Sequence, residues 1–146
     1  MNRFLDTCAV IGYCFPTDDF HSRCQEILKI INLWTSDSVI DEWDKKEREI
    51  EYNHNAAILE HIEYINGTYS GSINEESKNN LIAFSPVELK VFMEVFYEQT
   101  RFPTSAIELR DRLSDIALEL NNAKRKRYAE LEQKWNGNVH RRAKEY

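Results

Sequence analysis

Apolar positions at the start of the chain come in short runs separated by turn residues. Arg3-Phe4-Leu5 leads into Asp6-Thr7, and the pattern predicts a buried strand ending at Asp6. In Phe15-Pro16-Thr17-Asp18-Asp19, Pro presets the backbone and Thr17 or Asp18 is placed to cap a helix, predicted over 19–31. Phe20, Cys24, Ile27, Leu28 and Ile31 recur along it at helical spacing and form one apolar stripe. Leu33-Trp34-Thr35 predicts a second short strand. Ser36-Asp37-Ser38 then supplies N-cap residues, and Val39, Ile40, Trp43 and Ile50 open a long charged helix that reaches residue 65.

The second half has a different grammar. Asn66 to Lys78, with Gly67, Gly71 and several Ser and Asn, predicts a mobile loop, so residues 66–84 read as a break. Ser85-Pro86-Val87-Glu88 is a capping-box pattern with Pro at the first helical position, and Val87, Val91, Phe92, Val95 and Phe96 supply that helix's apolar face. Ser105-Ala106-Ile107-Glu108 repeats the box and opens a helix running to about Trp135, with Gly137 past its end. Leu109, Leu113, Ile116, Leu120 and Ala123 alternate spacings of four and three along it. An antiparallel hairpin over 85–136 follows from these two helices. Beyond Phe84 no β-branched run is bounded by turns, so no further strand is expected, and 137–146 reads as a basic tail.

Composition narrows the class. The 146 residues are 42% hydrophobic and 30% charged, ordinary usage for one globular domain spanning 1–146. No apolar stretch approaches the roughly 18 residues of a membrane span, and no secretory leader is evident, so a cytoplasmic address without membrane contact is expected. Cys8, Cys14 and Cys24 are odd in number and lack CxxC spacing, which predicts free thiols. Asn66-Gly67-Thr68 matches a glycosylation acceptor only formally. The net charge of −6 is uneven: residues 1–100 carry 8 basic and 18 acidic side chains, residues 101–146 carry 11 and 7. Lys124, Arg125, Lys126 and Arg127, with Arg141 and Arg142, form two basic clusters suited to phosphate contacts, or otherwise to a solvated helix face and terminus.

Phe4-Leu5-Asp6-Thr7 is followed about 36 residues later by Thr35-Ser36-Asp37-Ser38-Val39-Ile40-Asp41-Glu42-Trp43. A strand ending in Asp-Thr, a helix, a strand ending in Thr-Ser and a Glu early in the next helix is similar to the first half of PIN-domain nucleases. The Phe15 to His21 linker resembles archaeal members of that family. The resemblance covers about a third of the chain. It implies a mostly helical α/β fold with a small parallel sheet, Asp6 and Glu42 as catalytic metal ligands, Thr7 as polar support, Mg²⁺ or Mn²⁺ as cofactor and RNA as substrate. It further implies a toxin-like enzyme with a regulatory protein partner. Carboxylates at the carboxyl ends of adjacent parallel strands converge where open α/β sheets place ligands. A hard divalent ion there takes oxygen ligands and keeps several waters.

The family brings two more acidic residues from a later segment, which is not visible here; Asp111 and Asp115 match no motif. The chain therefore reads as a truncated PIN protein or a short lineage with a repurposed front half, and an open sheet edge would favour a homodimer. A noncatalytic RNA- or protein-binding module is the competing function. Residue by residue, Asp6 is otherwise a turn cap and Glu42 one more solvated carboxylate. His54 and His61, seven apart, are too far for an i, i+4 chelate. The Tyr and Trp residues are expected to pack rather than stack on bases.

Overall fold

The computed structural model describes residues 2–29, 32–101 and 104–141. Within them β1 (Asn2–Phe4), α1 (Thr7–Cys14), α2 (His21–Ile27), β2 (Asn32–Ser36) and α3 (Asp37–Thr68) follow in order. Then come β3 (Ser72–Ile73), α4 (Glu76–Phe84), α5 (Val87–Gln99), β4 (Thr104–Ser105), α6 (Ala106–Trp135) and β5 (Val139–His140). The chain is mostly helical, with one small parallel sheet in the order β1-β2-β5 and an antiparallel pair, β3 with β4. No helix among the described residues is long and apolar enough to cross a membrane. Two compact units divide the chain: residues 1–50 with 120–146, and residues 51–119.

In the first unit the parallel sheet sets the frame. Phe4 is level with Trp34 and Ser36 with His140, and the Leu5 N–H extends the ladder to the Trp34 carbonyl at 2.7 Å. Strand alternation separates the two faces. Leu5, Leu33 and Thr35 are buried beneath the sheet with Val10, Tyr13, Cys14, Phe15, Leu28, Val39, Trp43, Leu131 and Trp135. The Trp43 and Tyr128 rings stack 4.8 Å apart within this core.

β5 is absent from the sequence expectation. Two residues cannot display a hydrophobic alternation, and the strand is instead placed by its approach. Gly137 takes φ +84°, a conformation that only glycine adopts without steric cost, and turns the chain out of α6. Asn138 then anchors it: its carbonyl accepts from the Thr35 N–H at 3.1 Å and its side-chain amide donates to the Leu33 carbonyl at 3.2 Å.

The second unit corrects two more expectations. Residues 66–84 are not a loop, since α3 continues through Gly67 to Thr68, and β3 and α4 follow. The apolar face of α5 is made by Leu89, Met93 and Tyr97, whereas Val87, Val91 and Val95 are 86%, 71% and 49% exposed. Both stripes have helical spacing, and the helix turns inward the one whose side chains remove more apolar area from water. Pro86 occupies the N-cap position, and the Ser85 hydroxyl bonds back to the Leu81 carbonyl instead of capping α5. The box at Ser105 does form at its serine, which accepts from the Glu108 N–H at 3.1 Å, while the Glu108 carboxylate accepts from Thr104. Phe20, expected in the α2 stripe, is exposed; Ile31 and Pro103 lie outside the described residues.

Candidate functional site

Asp6 stands two residues beyond the end of β1 and caps α1: its Oδ1 accepts from the Ala9 N–H at 2.9 Å. Capping consumes one acceptor of a carboxylate that has several. The side chain is exposed and Oδ2 has no hydrogen-bond partner among the described residues. Thr7, the first helical residue, is buried at its side.

The next strand repeats the geometry. β2 ends at Ser36, whose hydroxyl accepts from the Val39 N–H at 3.2 Å, so α3 starts directly at the carboxyl end of the strand paired with β1. Val39 and Trp43 turn into the core, which leaves Glu42 exposed one turn into α3. The structure therefore puts Asp6 and the helix carrying Glu42 at the same edge of the parallel sheet. Among the described residues no group of three or more His, Cys, Asp or Glu is placed to hold a metal ion.

Beside Asp6, the turn Phe15 to Phe20 brings in a second carboxylate that the sequence reading assigned only to capping. Asp18 Oδ1 accepts from the Phe20 N–H at 2.9 Å. Burial raises the Cys24 thiol pKa first, and the carboxylates of Asp18 and Asp6 raise it further, so both acidic groups act on the same small region. Gly12 packs closely there, since a Cβ at that position would come 2.7 Å from Cys24 Sγ and displace that side chain. His21 is half-buried and its Nδ1–H donates to the Gly12 carbonyl at 2.9 Å, which locks the end of α1 to α2.

The basic residues separate into different environments. Lys124 is 2% exposed and bonds to Glu47 at 2.5 Å, so it belongs to the interior of the first unit and not to the surface cations. Arg125 and Lys126 are exposed. Arg127 lies over the Tyr13 ring, 5.9 Å from its centroid, and lines a cleft of about 650 Å³ with Tyr13, Gln25 and Glu130. Tyr13 donates to Glu130 at 2.8 Å; burial and that carboxylate push its pKa up to about 12. Arg141 is exposed just past β5, and Arg142 lies outside the described residues.

A group that sequence reasoning missed lies on the outer face of the sheet. The His140 ring stacks on Trp34 with centroids 5.5 Å apart and meets Phe4 at 6.4 Å. Phe4 and His140 are exposed and Trp34 half-buried. The alternation of Phe4 with Leu5 and of Trp34 with Leu33 could have placed the first two rings on one face; the third needed β5.

Scanned against protein-family models, the chain matches none, and no curated protein or solved structure matches it.

Proposed function

We propose that the chain is a PIN-like, Mg²⁺- or Mn²⁺-dependent endoribonuclease, with its site at the carboxyl edge of the parallel sheet. The observation that carries this reading is the pairing of β1 with β2, which puts Asp6 and the start of α3, the helix that carries Glu42, at one sheet edge. Asp6 and Glu42 would hold the ion, whose contribution when bound is to lower the pKa of water and neutralise charge building on a phosphodiester. Asp6 is oriented for this by its bond to the Ala9 N–H, and buried Thr7 fixes the first turn beneath it. The chain would supply few protein ligands, so substrate phosphate would complete the coordination and affinity for the free ion would be weak.

The test is cleavage of a mixed single-stranded RNA pool by the wild-type chain with Mn²⁺ or Mg²⁺, with EDTA, Asp6→Asn and Glu42→Gln as controls. Loss of at least about a hundredfold in rate in each variant is expected, the scale for removing a group that stabilises transition-state charge. Cleavage unchanged by either substitution, or absent from a folded wild-type sample, would set the nuclease reading aside. A noncatalytic RNA-binding module would then be favoured, since the exposed cations Arg125, Lys126 and Arg141 do not depend on catalysis.

A further inference from the structure

We propose that the outer face of the β1-β2-β5 sheet is a base-stacking platform for the RNA engaged at the sheet edge. The inference rests on the ribonuclease reading for its substrate and deepens it.

Parallel sheets are almost always covered on both faces. Here the inner face is packed on the helices, while the outer face presents Phe4, Trp34 and His140, one ring from each strand. Phe4 is 55% exposed. A cluster of accessible aromatic rings on a strand surface offers π-faces on which successive unpaired bases stack, whatever their sequence. Paired bases in a duplex have no free face to give.

Continuity with the sheet edge points to the same occupant. Phe4 precedes Asp6 by two residues, and His140 is level with Ser36, the residue just before α3. A strand stacked on the rings would therefore run directly to the carboxylate edge. A second protein chain fits less well. Stable protein interfaces take about 600 Å² or more from each partner, and the exposed parts of Phe4, half-buried Trp34 and His140 together present less than that.

Tryptophan fluorescence reads the site, because Trp43 and Trp135 are buried and Trp34 is the accessible indole. Full-length protein is titrated in EDTA with a short mixed-sequence single-stranded RNA, and separately with the duplex of the same sequence. The single strand is expected to quench Trp34 and bind more tightly than the duplex. Phe4→Ala and His140→Ala should weaken binding about tenfold or more each, with far-UV circular dichroism unchanged. Trp34→Phe should bind but lose the quench, which keeps the test valid if Trp34→Ala fails to fold. Equal affinity for duplex and single strand, or binding indifferent to Phe4 and His140, overturns the platform even where metal-dependent cleavage is intact. A dimer that dissociates on Phe4→Ala, with no RNA bound, overturns it in favour of a second copy. Ring-dependent binding without metal-dependent cleavage upholds the platform and removes the nuclease reading.

Discussion

His61 and Tyr97 share a hydrogen bond in the interior of the second unit, with the His61 ring against Phe84 and its Nδ1 lacking a partner among the described residues. Burial lowers the His61 pKa to about 4. An unfolded chain takes up this proton near pH 6.5 and the folded chain resists it until about pH 4, so stability declines as pH falls through that window. The loss should reach about 3 kcal/mol. Denaturant titrations between pH 7 and 4 would show it, and His61→Gln should flatten the decline. His21, half-buried and with its pKa lowered first by desolvation, adds a loss of the same sign. Lys124 gives a second test at this scale. Lys124→Ala leaves Glu47 without its partner and should cost about 2–3 kcal/mol, below the range for fully buried pairs because Glu47 keeps some solvent. Lys124→Met with Glu47→Leu should recover most of it. Sequence reading grouped Lys124 with its basic neighbours because all four share one run, although the phase of Leu109, Leu113, Ile116 and Leu120 carries the inward stripe to position 124.

α5 shows how an element can be found while its orientation is missed. Its start and length were legible from Ser85-Pro86 and the apolar spacing, but two stripes competed and the valines lost to Leu89, Met93 and Tyr97. Replacing Val87, Val91 and Val95 together with Gln should shift the unfolding midpoint by little, since exposed substitutions stay within about 0.5 kcal/mol each. Leu89→Ala alone should cost about 2–5 kcal/mol. Equal penalties in thermal melts would contradict the observed facing. The segment 66–84 was misread for a related reason: Asn, Ser and Gly lower helix propensity, and α4 buries only Leu81 completely, too little to write a periodic signal. At the other end of the chain, Gly137→Ala should cost about 1 kcal/mol and loosen β5, which would appear as faster exchange of the Thr35 amide.

At the level of the molecule, the two paired strands, the helix after the Pro turn and the start of α3 were legible because apolar runs, a Pro turn and Ser/Asp caps agreed, whereas α1 (Thr7–Cys14) was not expected. From the paired strands followed the positions of Asp6 and of the start of α3 at one sheet edge. The third strand was not, since backbone pairing and an Asn side chain hold it and neither leaves a hydrophobic pattern. The ring cluster over that strand was hidden for the same reason.

Asn138 and Leu33, joined by a hydrogen bond across the sheet, are 105 residues apart in the chain. Contacts of such separation form late, because the intervening segment must first be ordered and its closure entropy met. During synthesis the open side of β2 therefore waits until residue 140 has emerged, and its backbone groups stand ready to pair with any extended strand nearby. A nascent chain halted before Asn138 should recruit holdase chaperones and aggregate on release, whereas one carried past His140 should escape both.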